Sequence, residues 1–218
     1  IHVVAISKMV EEEARPYVGN TPMTLIYNGT DTQLFRPSAH KIQNGKLNII
    51  TAAAFEERKG MHYMIEALAD YPNCNRIHYD IYGSGNLEYG KYLKSLIQKY
   101  HLENVVHLKG SISNISEIEP QYDLLAFLSK GEAFGLAITE AMACGLPVLS
   151  SDLPPFPEIM KSDYGYMVNR KDKKAIHDCL NSLLNDTELL RTKSYAARKA
   201  SEKFSWDRIV NQYIELVK

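Results

Sequence analysis

Asp123-Leu124-Leu125-Ala126-Phe127-Leu128, followed by Gly135 to Ala143 and then by Pro147 to Ser150, is the stretch whose reading decides the fold. The first run is short and apolar, as a strand buried on both faces must be. The second carries apolar residues at three- and four-residue spacing, which marks a helix, and the third is again a short strand. Strand, helix and strand in such close succession make a right-handed βαβ crossover. Leu47 to Ala53, Ile77 to Tyr82, Val105 to Leu108 and Tyr166 to Val168 read as further strands, with helices at Gly60 to Leu68 and Leu87 to Tyr100. The expected fold is therefore doubly wound α/β, with a parallel sheet of about six strands.

Outside this unit the pattern changes. Ser7 is a plausible N-cap for a helix over Lys8 to Arg15, with Pro16 as its stop signal. A strand at Met23 to Tyr27 leads into the turn-rich Asn28-Gly29-Thr30-Asp31. The polar stretch Ser38 to Lys46, which contains Gly45, is the best linker candidate. After Val168 the chain reads as helical from about Lys171 to Lys218, with a helix restart capped at Ser205. Three parts result: 1–37, 38–170 and 171–218. Ile1 is not an initiator Met, and His2 to Ile6 reads as the middle of a buried strand, so further sequence is expected upstream.

Composition excludes several classes of partner. Of 218 residues, 45% are hydrophobic and 23% charged, ordinary for a globular domain. Lys plus Arg number 25 against 26 Asp plus Glu, so no overall field draws the chain to nucleic acid or to an anionic surface. Cys74, Cys144 and Cys179 lack C-x-x-C spacing, which argues against a disulfide framework or zinc site and for a reducing, cytoplasmic setting. No apolar run approaches the ~18 residues that span a bilayer. His62, His78, His101 and His107 are scattered without the spacing of a triad or ligand set, so they read as structural and no metal is expected.

The richest segment for chemistry is Gly131 to Pro147. A strand ending at Leu128 delivers the chain to the carboxyl edge of the sheet, where open α/β folds bind ligands. Glu132 then sits in the loop. Gly135 lets a ligand approach the backbone and opens a helix whose free N–H groups and dipole suit a phosphate. Glu140 lies about one and a half turns further on, where an ionised carboxylate can accept two hydroxyls, as from a ribose. Gly83-Ser84-Gly85 follows a strand and precedes a helix, but it lacks a third glycine and reads as a phosphate loop or as a tight turn.

Glu132 and Glu140 with seven residues between them, followed by Ala141-Met142-Ala143-Cys144-Gly145-Leu146-Pro147-Val148, resemble the signature of the family 4 (group 1) glycosyltransferases. Further resemblances follow in order: Ser7, Asn28 to Asp31, Phe35-Arg36-Pro37, Lys59-Gly60, Gly83 to Gly85, Val106 to Gly110, Asp123, Ser129, Ser151-Asp152, Pro157-Glu158 and Phe204-Ser205-Trp206. The resemblance implies the C-terminal, Rossmann-like, donor-binding domain of a retaining GT-B enzyme that uses no metal or cofactor. It makes 1–37 a junction segment, 38–170 the nucleotide-sugar-binding domain, and 171–218 helices that return toward a first domain of roughly another 150 residues. It implies that Glu132 holds donor-sugar hydroxyls, that Glu140 holds the ribose, and that the backbone at Phe134, Gly135 and Leu136 holds the diphosphate. Lys59 would meet the diphosphate as a point charge, Gly83 would shape the cleft, and Ser111-Ile112 would face the base.

The donor implied is a nucleoside diphosphate sugar of UDP or GDP type, and the acceptor a glycan, a lipid or a protein-linked group held by the first domain. By itself the chain is then expected to bind a donor without transferring its sugar, and to self-associate through apolar helix surface. The full-length protein could sit at a membrane surface through its other half. Three positions depart from the family pattern. Ala53 and Ala54 stand where an arginine is usual, with Arg58 next door as a substitute. Pro154-Pro155 replace two glycines, and Leu128 replaces a proline. The missing arginine leaves open a non-catalytic domain used for partner docking; an epimerase or phosphorylase would need residues not visible here.

Overall fold

The structure, a computed structural model, describes residues 1–38 and 45–218. The linker candidate Ser38 to Lys46 falls largely outside the described residues. A short strand, β1 (Val3–Ala5), leads into helix α1 (Lys8–Val18) and strand β2 (Met23–Leu25), which pairs with β1 in a two-stranded parallel sheet. The main sheet comprises β3 (Leu47–Ala52), β4 (Ile77–Tyr82), β5 (Val106–Gly110), β6 (Leu124–Phe127), β7 (Val148–Ser151) and β8 (Gly165–Val168). Its order is β5-β4-β3-β6-β7-β8 and every pairing is parallel. The order reverses between β3 and β6, so the doubly wound expectation holds and the carboxyl ends of these two strands mark the switch point.

Local chemistry accounts for the layers. The central strands β6 and β7 are buried at every residue, as strands covered on both faces should be. Toward the edge, β4 alternates: Ile77, Tyr79 and Ile81 enter the core, while His78, Asp80 and Tyr82 face the other way. One core lies under helices α2 (Met61–Leu68), α3 (Leu87–Lys99) and α7 (Lys173–Asn185). Helix α3 contributes Tyr89, Leu93, Leu96 and Ile97 from one stripe, and the Asn86 side chain caps it by accepting from Tyr89 N–H. The opposite core holds α5 (Leu136–Ala143) against α8 (Thr187–Ser201), with Phe134, Phe156 and Phe204. Each fully buried Leu or Ile contributes about 1.5–3 kcal/mol. Two one-turn helices, α4 (Ile115–Ile118) and α6 (Phe156–Ile159), and a last helix α9 (Trp206–Leu216) complete the described elements.

Several boundaries differ from the sequence reading. Helix α1 runs through Pro16 to Val18 and stops at Gly19, φ 55°. The proline removes a bond to the Glu12 carbonyl, but that turn is exposed and water can serve it. Among the described residues β1 pairs with β2 alone, and of its three residues only Ala5 is buried. Ser205 does occupy the N-cap of α9, yet its side chain makes no cap bond; the Thr30 carbonyl accepts from Trp206 N–H at 3.2 Å instead. Trp206 lies flat on Gly29, where a Cβ would collide with the indole. Helix α9 exposes Trp206, Val210, Tyr213 and Ile214, and Val217 just beyond it is exposed as well. Among the described residues no helix is long and apolar enough to cross a membrane.

Candidate active site

Two adjoining cavities open at the switch point, about 280 and 360 Å³ in volume, and both are walled by Ala52, Ala53 and Ala137. Together they form one cleft over the ends of β3, β4, β5 and β6. The first holds Lys59, Glu132 and the Phe134-Gly135-Leu136 segment; the second holds Gly83, Ser111, Ile112, Glu119 and Glu140. Small side chains at the shared wall leave room for a ligand to lie across both.

The first half is built by a tight crossing of two loops. Gly60 (φ 72°) ends the 3-10 turn Glu57–Lys59, and a Cβ there would collide with the Leu128 carbonyl oxygen. The Lys130 N–H donates to the Arg58 carbonyl at 2.6 Å, and the Ser129 hydroxyl donates to it at 3.1 Å. This lacing sets Lys59 beside Glu132. Lys59 Nζ lies 2.7 Å from Glu132 Oε1, and both side chains are 13% exposed. The same oxygen accepts from Ser129 Oγ at 2.9 Å and from Arg58 Nη1 at 3.3 Å. Arg58 is half-exposed and also pairs with Glu56 at 2.6 Å, so its guanidinium is turned to two carboxylates. Gly135 (φ 104°) starts α5, whose first N–H groups have no partners within the helix.

The second half carries acid without base. Glu119 is 1% exposed, and burial, with Glu140 nearby, pushes its carboxyl up to about 8. Burial also raises Glu140 above the usual carboxylate range. Cys144 Sγ stands 3.7 Å from Glu119 Oε2, and burial and the two carboxylates push this thiol upward. Sequence reasoning missed Glu119, because nothing in its local pattern signals that the α4 segment folds over the cleft. Ile6 and Asn28 also line the cleft, brought in by the N-terminal segment.

The other expected residues divide clearly. Ser111 Oγ donates to Ser84 Oγ at 2.7 Å, and Ser111 and Ile112 reach the cleft together with Gly83. Gly83 to Gly85 is a turn laid against the Ala53–Phe55 segment, with Phe55 N–H donating to the Ser84 carbonyl at 2.8 Å. Phe134 points into the core, with ring centroids 5.8 Å from Tyr27 and 5.7 Å from Phe204, so only its backbone faces the cleft loop. Leu136 is exposed. The Glu158 carboxylate accepts from Lys8 and Met9 N–H at 2.8 and 3.3 Å, and Ser7 Oγ donates to the Ala133 carbonyl at 2.7 Å, tying the start of α1 to the Glu132 loop. The histidines are less scattered than their spacing suggests. His78 and His107, on adjacent strands, converge on Asp80.

Residues 33–200 fit the family described as Glycosyl transferases group 1. The chain belongs to that family. A curated relative, N-acetyl-alpha-D-glucosaminyl L-malate synthase of Bacillus anthracis, is 36% identical over 120 residues, covering 54% of this chain and 32% of its own. The HepE structure from Anabaena, in complex with UDP and glucose, superposes with a TM-score of 0.88 at 25% identity over 99% of this chain and 62% of its own. Sucrose-phosphate synthase of Thermosynechococcus elongatus superposes at 0.87, with 24% identity over 99% of this chain and 57% of its own, a likeness of fold. The group 1 chain described here thus spans from about a third to less than two thirds of these proteins, and it has the Rossmann-like GT-B domain fold.

Proposed function

We propose that this chain is the donor-binding domain of a retaining glycosyltransferase and that its cleft holds a nucleoside diphosphate sugar. The observation that carries the proposal is the Lys59–Glu132 pair at 2.7 Å, set beside the open N-terminus of α5 at the switch point of the sheet. The adjoining cavity fits the nucleoside, with the base against Ser111 and Ile112 and the ribose hydroxyls on Glu140. The diphosphate lies on the backbone N–H groups at Gly135 and Leu136. There it draws Lys59 away from Glu132 and frees the carboxylate to accept sugar hydroxyls. HepE, of similar fold, holds UDP and glucose, which supports this class of donor.

In the transfer, the bond from the anomeric carbon to the diphosphate breaks and its electron pair leaves with the phosphate. An acceptor hydroxyl forms the new bond on the same face of the sugar, and its proton passes to the departing phosphate. Lys59 and the α5 N-terminus meet the charge that develops, so this step needs no metal. The acceptor, a glycan, lipid or protein-linked group, is held by a further domain, against which the exposed face of α9 docks. This chain alone binds donor and does not transfer. Titration calorimetry with UDP, GDP and ADP tests the reading: one of them binds, and binding of none to folded protein would falsify it.

A further inference from the structure

Away from the cleft, on the sheet face that α5 leaves uncovered near the β5 edge, three side chains converge. His78 and Asp80 are two apart on β4 and so share a face, and His107 on β5 stands in register with Asp80. His78 Nε2 is 3.0 Å and His107 Nδ1 3.2 Å from Asp80 Oδ1, and the three atoms lie within 4.8 Å of one another. Asp80 is 3% exposed, yet Oδ1 accepts no hydrogen bond, and His107 Nδ1 has no hydrogen-bond partner either. Two unpartnered atoms buried face to face are costly unless something sits between them. The rest of the carboxylate is already fixed, since Oδ2 accepts from Tyr122 Oη at 2.6 Å, with Lys109 Nζ 3.8 Å away.

We infer that His78, Asp80 and His107 form a binding site for a first-row divalent cation of the zinc type, distinct from the donor cleft. Two imidazoles and a carboxylate are the donor set such an ion prefers. Tetrahedral coordination at bond lengths near 2.0–2.2 Å separates ligand atoms by about 3.3 Å, close to the two separations the carboxylate already shows, and the two nitrogens, within 4.8 Å of each other, come to that spacing by a turn of the half-exposed His78 ring. Tyr122 plays the orienting part that outer-shell partners take at metal sites, holding one carboxylate oxygen so that the other faces the ion. The half-exposed His78 ring leaves a way in and a fourth position for water. An ion here clasps the edge strand β5 to β4, just before the chain reaches Ser111. The site does not depend on donor binding.

The test uses zinc alone, without nucleotide, titrated into the chain carrying Cys74→Ser, so that the one partly accessible thiol cannot compete. Competition against a chromophoric chelator should show one equivalent bound. Affinity should fall at least tenfold in His78→Ala and in His107→Ala, and further in the double variant. Zinc should raise the melting temperature of the parent and not that of the double variant. Cobalt should give the visible absorption of a tetrahedral site, lost with either histidine. His78 is half-exposed on β4 and makes no contact with the core, so its removal leaves the fold intact, which circular dichroism checks. No stoichiometric binding, or binding weakened less than tenfold in the double variant, overturns the inference.

Discussion

The two halves of the cleft handle negative charge in opposite ways. Glu132 stands among cations and a hydroxyl donor, with Lys59 at 2.7 Å, Arg58 at 3.3 Å and Ser129 at 2.9 Å. Glu119 and Glu140 stand together, and burial raises both carboxyls. The first half is neutralised in advance by partners that a diphosphate can take over. The second keeps its charge down by holding a proton. In the proposed function a diphosphate is attracted to the cations of the former and finds none in the latter, so the contrast orients a donor with its diphosphate toward Lys59 and its nucleoside toward Glu140.

The sharpest way to break the contrast is to remove its cation. In the two-domain transferase of the proposed function, Lys59→Ala should lower kcat by about 10²–10³, the scale for losing one electrostatic stabiliser of the leaving charge. Steady-state transfer assays check this, and an unchanged kcat would remove Lys59 from the chemistry. Gly60→Ala attacks the same half through its scaffold. A Cβ meets the Leu128 carbonyl at φ 72°, a strained position that costs at least about 1–3 kcal/mol, or roughly 2–4 °C of melting temperature per kcal/mol. Thermal unfolding reads the loss, and an unshifted melting temperature would mean that the loop crossing is looser than it looks.

Glu140→Ala tests the acidic half. A charged hydrogen bond contributes roughly 1.5–3 kcal/mol, so nucleotide affinity should weaken about tenfold to a hundredfold, and melting temperature should hold or rise as a buried carboxyl is removed. Calorimetry with the nucleotide that binds the parent gives the answer. Equal affinity in parent and variant would move the ribose elsewhere and undo the orientation argued above.

Much of this was legible in the sequence, for reasons that can be named. Leu124 to Phe127 and Val148 to Ser151 are buried on both faces and read as strands, because such runs are too short for a helix and alternate with helical patterns. Glu132, Gly135 and Glu140 were visible because they lie on one continuous strand–loop–helix segment. What was hidden depends on contacts between segments distant in sequence. Glu119 enters the cleft only because α4 folds across it. His78 and His107 meet only because β4 and β5 pair in register. Pro16 misled because a proline signal says nothing of whether the freed carbonyl faces water. That Arg58, adjacent to Lys59 on the chain, turns to Glu56 and shares Glu132 with Lys59 was likewise hidden, because its partners come from the loop after β6 as well as from its own turn.

The last expected effect is also the most diagnostic of how the acidic half works. Glu119 has its carboxyl raised from 4.5 to about 8 by burial and by Glu140. Below pH 4.5 the group is protonated in folded and unfolded chains alike, so its packing contributes fully. Between 4.5 and about 8 the unfolded chain binds fewer protons than the folded one, and stability falls as pH rises. Glu140, raised in the same direction, adds to the slope. Glu119→Gln keeps the shape and cannot ionise. Its melting temperature should equal the parent's near pH 5 and exceed it increasingly toward pH 8, flattening the profile. Parallel profiles would show that Glu119 is charged at neutral pH, and the two halves would then differ in their partners but not in their charge.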